Sequence, residues 1–147
     1  MVLGGTLEQG AATYNQVKDS WLTTAPMKIK RSYSAAVKWN ATVVVTGGSA
    51  PVTASVEQFH PKTNQWTALP DLQVARYAHA LVNIDSCLYA IGGENEAYEP
   101  LSSIEKYNLG SKSWKLVSTL PTARSCLTCA TNKVSAKLNL PKQTKTS

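Results

Sequence analysis

One order of residues occurs three times along this chain. An apolar run closing in a double glycine ends at Gly4-Gly5, Gly47-Gly48 and Gly92-Gly93, steps of 43 and 45 residues. Behind each pair comes an aromatic residue with a tryptophan 7 positions later: Tyr14 and Trp21, Phe59 and Trp66, Tyr107 and Trp114. A proline then closes each copy, at Pro26, Pro70 and Pro121, and an arginine opens the next segment, at Arg31, Arg76 and Arg124. Such a repeat is one supersecondary unit whose apolar faces must be covered by neighbours stacked against it.

The repeated unit reads as β-structure. Residues 31–48 align without a gap on residues 76–93, which sets Asn40-Ala41 against Asp85-Ser86 as turns between two apolar runs. The uninterrupted runs Val43-Val44-Val45 and Leu88-Tyr89-Ala90-Ile91 suit strands covered on both faces. A β-unit with a period of about 40–50 residues is the blade of a β-propeller, a four-stranded sheet standing beside its neighbours. The expectation is an all-β chain forming a partial propeller, about three blades' worth of four-stranded antiparallel sheets. Its parts are an incomplete blade over 1–26 with strands two to four, blades over 31–70 and 76–121, the first strand of a further blade over 124–130, and a basic disordered tail over 131–147. Tyr14, Phe59, Tyr107, Trp21, Trp66 and Trp114 recur at fixed slots and are expected to pack between blades. The double glycines are expected where backbones approach closely.

The expected strands number twelve, and the strand missing from the first unit is the kind that 124–130 would supply. Four blades at this period need at least about 180 residues, more than the 147 present. Two arrangements follow: an open arc, or two copies meeting head to tail as a six-bladed ring that hides both sheet edges.

Charge adds little about partners. Of a formal charge of +6, Lys133, Lys137, Lys142 and Lys145 contribute four within a tail that has no Asp or Glu. The repeats carry neither a basic stripe nor an RNA-binding motif, so no nucleic-acid partner is expected. The apolar runs are strand-length, well under the ~20 residues of a membrane-spanning helix. With no signal-peptide pattern in Met1-Val2-Leu3-Gly4-Gly5 and three cysteines, a cytoplasmic, reduced protein is expected. Cys126-x-x-Cys129 lacks the second pair a zinc ribbon requires, and Cys87 reads as a strand residue. His79 has no acidic or nucleophilic partner in its vicinity along the sequence, and His60 sits in a turn. No catalytic residue, metal or cofactor is expected.

The double glycine, the aromatic and tryptophan 7 apart, and the Leu-Pro followed by arginine resemble the kelch repeat over residues 1 to about 130. The phrases Val56-Glu57-Gln58-Phe59-His60-Pro61-Lys62-Thr63-Asn64-Gln65-Trp66 and Leu88-Tyr89-Ala90-Ile91-Gly92-Gly93 resemble the BTB-kelch ubiquitin ligase adaptors in particular. That resemblance implies a non-enzymatic propeller that captures a protein for cullin-based ubiquitination, reaching the cullin only through a BTB domain that these residues do not contain. It also implies a contact face built from Arg31, Arg76 and Arg124 with Ser55 and Ser103. The same arginines have a structural reading, as donors to loop carbonyls and to Glu57 or Glu105. The alternative within the kelch group is an actin-binding protein, for which the basic tail would favour an acidic filament.

Overall fold

The computed structural model describes residues 1–3, 9–49 and 51–130, so the Gly4-Gly5 pair and the tail expected over 131–147 lie outside the described residues. Within them the chain is all-β and forms three antiparallel sheets. The first holds β1 (Val2–Leu3), β2 (Ala11–Asn15) and β3 (Ser20–Thr23). The second runs β4 (Ala35–Trp39), β5 (Thr42–Thr46), β6 (Val56–His60) and β7 (Gln65–Leu69). The third runs β8 (Ala80–Ile84), β9 (Cys87–Ile91), β10 (Ser103–Asn108) and β11 (Ser113–Thr119). Strand order follows chain order in each sheet, the meander of a propeller blade. No helix occurs among the described residues, and so none long and apolar enough to cross a membrane.

The sequence periods become contacts. The aromatic and the tryptophan 7 residues later are cross-strand partners in each outer hairpin, Tyr14 with Trp21, Phe59 with Trp66 and Tyr107 with Trp114. Their ring centroids lie 5.3, 5.0 and 5.4 Å apart, within the range of favourable tilted ring pairs. A residue with positive φ stands two places before each tryptophan, Asp19, Asn64 and Lys112, and turns the hairpin. On the inner side, Asp85 and Ser86 both adopt positive φ between Ile84 and Cys87, the geometry that matches the twist of a two-residue hairpin.

Alternation along the strands gives each blade two apolar faces. Phe59, Trp66 and Val45 join Ala11 and Met27 in the core between blades one and two. Val44, Val56 and Trp39 of blade two join Leu81, Leu88, Ala90, Tyr107 and Trp114 of blade three. Trp66 and Trp114 also tie their blades to the one before, Trp66 Nε1 donating to the Ala25 carbonyl at 2.9 Å and Trp114 Nε1 to the Pro70 carbonyl at 3.0 Å. Trp39 bridges the same junction from the other side, donating to the Ser86 carbonyl at 2.8 Å.

Two expectations need correction. Tyr14 and Trp21 are not core: they are 40% and 58% exposed, against 5% and 2% for Tyr107 and Trp114. Their face of blade one has no preceding blade among the described residues to cover it. Residues 124–130 form no strand, although they follow the path of one. A first strand pairs only with the second strand of its own blade, as β4 does with β5 and β8 with β9, and no such partner exists among the described residues.

Candidate partner-binding face

The arginines that open blades two and three are the most buried charged side chains at one end of the sheets. Arg31 and Arg76 are 1% and 0% exposed. Arg31 Nη1 donates to the carbonyls of Gly47 at 2.6 Å and Ser55 at 3.0 Å, while Nη2 donates to Ser55 Oγ at 2.7 Å and Glu57 Oε1 at 3.0 Å. Arg76 repeats every one of these bonds one blade on, with Gly92, Ser103 and Glu105 at 2.8, 3.2, 2.9 and 2.6 Å. The second carboxylate oxygen then reaches back along the incoming loop, Glu57 accepting from the Lys28 amide at 2.8 Å and Glu105 from the Gln73 amide at 2.7 Å. Burial lowers the pKa of both guanidinium groups, and the bonded and nearby glutamate pulls it back up. A planar fork is what such a junction needs, since lysine cannot span two carbonyls, a hydroxyl and a carboxylate from one position.

These clusters fix the loops between strands two and three and the loops that enter each blade. A methionine or leucine four residues before each arginine anchors the same entry: Met27, Leu72 and Leu120 donate their amides to Gln9, Ala54 and Ser102. The double glycines complete the fit. A Cβ on Gly47 would lie 2.2 Å from the Arg76 carbonyl oxygen, and one on Gly92 would lie 2.6 Å from that of Arg124. Both residues hold positive φ, so no other residue fits without strain.

His79 sits beneath this frame. Its Nε2 lies 2.7 Å from Thr46 Oγ1, and burial, with Arg76 and Arg31 nearby, pushes its pKa down to about 3. The imidazole is therefore neutral near pH 7 and acts as a packing group between blades two and three.

Above the frame the surface is aromatic. Tyr33 is 67% exposed and meets the ring of Tyr77 edge-on at 6.4 Å between centroids. The Tyr77 hydroxyl donates to Glu94 Oε2, and the Ser125 hydroxyl donates to Glu94 Oε1 at 2.5 Å. The Glu94 bond, with some desolvation, raises the Tyr77 pKa to about 12, while the Ser125 and Tyr77 donors hold the Glu94 carboxyl below its ordinary value. The neighbouring loop presents Tyr98 at 80% exposure and is folded around Asn95, whose Oδ1 accepts from the Ala97 and Glu99 amides at 2.9 and 3.0 Å. Arg124 lies exposed beside this group, its amide bonded to the Leu101 carbonyl at 3.2 Å.

The residues singled out in the sequence thus divide. Arg31, Arg76, Ser55 and Ser103 come together as two internal repeats of one hydrogen-bonded cluster, with their polar side-chain groups turned to one another. Arg124 alone of the three arginines faces outward, because among the described residues its blade supplies no serine and glutamate to receive it. Sequence reasoning missed Tyr33, Tyr77, Glu94, Tyr98 and Ser125. The available signal was their failure to repeat: Tyr33 aligns with Ala78 and Tyr77 with Ser32, immediately beside arginines that do repeat.

The kelch motif profile matches residues 30–73 and 75–121, more than half of the chain. The chain belongs to the kelch-repeat family. Kelch relatives include alpha-scruin of Limulus polyphemus, 29% identical over 76% of this chain and 13% of that protein. Kelch-like protein 40 of Xenopus laevis is 32% identical over 69% of this chain and 18% of its own length. Human kelch repeat and BTB domain-containing protein 13 is 30% identical over 86% of this chain and 29% of its own. The kelch chain described here therefore spans less than a third of each of these relatives.

Proposed function

We propose that this kelch chain is a non-enzymatic protein-binding module whose contact face is the tyrosine-rich end of blades two and three. The observation that carries the reading is the exposed pair Tyr33 and Tyr98, with half-buried Tyr77 beside Tyr33, standing on loops that Arg31 and Arg76 hold rigid from beneath. Tyrosine offers a large apolar ring with a hydrogen-bonding tip and few torsions to freeze, which suits it to the centre of a protein contact. Arg124 and Ser125 extend the face, whereas Arg31, Arg76, Ser55 and Ser103 serve it through the loops they fix. Relatives named as kelch-like and BTB-kelch proteins support capture of a protein for cullin-based ubiquitination as the finer role. Binding to actin filaments is the alternative within the same family, and co-sedimentation with filaments tests it directly.

The test is selection of peptides from a displayed random library on the purified chain. Selected peptides are expected to lose binding with Tyr33→Ala and Tyr98→Ala, and to keep it with Lys112→Ala at the opposite end of blade three. Selected peptides indifferent to both tyrosines would overturn the reading.

A further inference from the structure

Residues 124–127 repeat three backbone bonds of the entry into a blade. At the entry to blade three the Gly48 amide donates to the Arg76 carbonyl at 2.9 Å, the Arg76 amide to Thr53 at 3.3 Å, and the Ala78 amide to Tyr33 at 2.8 Å. One repeat later the Gly93 amide donates to Arg124 at 3.0 Å, the Arg124 amide to Leu101 at 3.2 Å, and the Cys126 amide to Ala78 at 2.8 Å. Leu127 covers Gly92 as His79 covers Gly47. Leu127 and Cys129 then pack on the far face of blade three, against Ala80, Val82, Tyr89, Ile91 and Ile104. This segment follows the path of a first strand, with no second strand beside it among the described residues.

At the other end, among the described residues, stands a sheet without a first strand. β1 is an edge of the β1-β2-β3 sheet, whereas β5 and β9, the matching strands of the other blades, carry β4 and β8 on that side. The aromatic face of this sheet is the one left uncovered, with Trp21 58% exposed where Trp66 and Trp114 are 7% and 2% exposed. Inside the arc, that aromatic face always lies on the far face of the preceding blade.

We propose that a second copy of this chain completes the junction. Its β1 edge pairs with residues 124–130 of the first copy, and its Tyr14 and Trp21 rings settle against the far face of the first copy's blade three. The geometry continues the two blade junctions already present within one copy. An arc of three blades cannot bring its own first sheet round to its own end, since propellers need about four blades or more to close. Two arcs give six blades, and a head-to-tail contact repeated by a half turn pairs each β1 edge and covers both open blade faces.

The test is the mass of the purified 147-residue chain by light scattering across a concentration series, with circular dichroism at each point. The expected mass is twice 15.8 kDa. Trp21→Asp alters an exposed residue and is expected to leave the β spectrum intact while weakening the pair at least about 30-fold, the loss typical of a central interface tryptophan. Leu127→Asp is expected to do the same from the other side. Each variant keeps one intact half of the junction, so an equimolar mixture regains one full contact and the doubled mass. A folded wild-type chain that stays at 15.8 kDa throughout the series overturns the proposal. So does a doubled mass that Trp21→Asp leaves untouched.

Discussion

The amide of Cys126 donates to the carbonyl of Ala78 at 2.8 Å, and the amide of Ala78 donates in turn to the carbonyl of Tyr33 at the same distance. All three residues stand two places after a blade-opening arginine, and all three have positive φ, near 50°. A backbone chain of hydrogen bonds thus links one blade entry to the next. Because the link uses no side chain, the position accepts tyrosine, alanine or cysteine, and its side chains are free to differ at the surface.

The buried Arg76 and Glu105 pair should be costly to break singly. Both side chains are within 2% of full burial and bonded at 2.6 Å. Arg76→Ala leaves the glutamate without its guanidinium in a closed site, for an expected loss of about 3–5 kcal/mol. Arg76→Met combined with Glu105→Leu should recover part of that loss, because it leaves no buried charge behind. Urea unfolding midpoints of the three proteins check the order.

Gly47→Ala should destabilise the chain by about 2 kcal/mol or more. The added methyl carbon would stand 2.2 Å from the Arg76 carbonyl oxygen at a φ of +59° that costs a non-glycine residue strain of its own. Gly110→Ala is the control, since its nearest neighbour is Asn108 Oδ1 at 3.3 Å and its backbone has no positive φ. The thermal midpoint should drop clearly for the first and shift little for the second.

Much of the fold was legible because sequence spacing and hydrogen-bond geometry are one quantity here. The step of 16 from Arg76 to Gly92 is the span of the bond from Nη1 to the glycine carbonyl, and the step of 7 to each tryptophan is a hairpin partner. The fate of particular side chains was not legible, because it depends on what stands opposite them. Trp21 occupies the same slot of the repeat as Trp114, 7 residues after a tyrosine, yet only Trp114 is covered by a neighbouring blade. For Arg31 and Arg76 the sequence left two readings open, a contact face or donation to loop carbonyls and a glutamate, and the bonds formed are those of the second, to serines and glutamates 24 to 29 residues away.

His79 should make stability depend on pH in a defined direction. Its folded pKa of about 3 lies below the ordinary 6.5, so between these values the unfolded chain takes up a proton that the folded chain refuses. Its neutral form contributes fully above pH 6.5, and that contribution declines as pH falls toward 3, by about 1.4 kcal/mol per unit. His79→Ser places in this blade the residue found at the matching Ser34 and removes the titration. Between pH 7 and pH 5 the wild-type chain should lose about 2 kcal/mol more than the variant in urea unfolding. Equal losses would show that the imidazole is protonated without penalty.

Trp114 and Trp21 occupy one slot of the repeat and should differ sharply on truncation. Trp114→Ala removes a ring that is 2% exposed, packed with Trp39 and Tyr107, and bonded to the Pro70 carbonyl. The expected cost is about 3–5 kcal/mol, the range for emptying a core aromatic site. Trp21→Ala removes a ring whose contact within one copy is Tyr14, on an open face, and should cost a single copy under about 1 kcal/mol. Measured in dilute solution, the two unfolding midpoints should therefore be far apart. Measured at high concentration the gap should narrow, because there the wild-type chain gains stability from a junction that Trp21→Ala weakens. A Trp21 effect independent of protein concentration would mean that the ring is already covered within one copy.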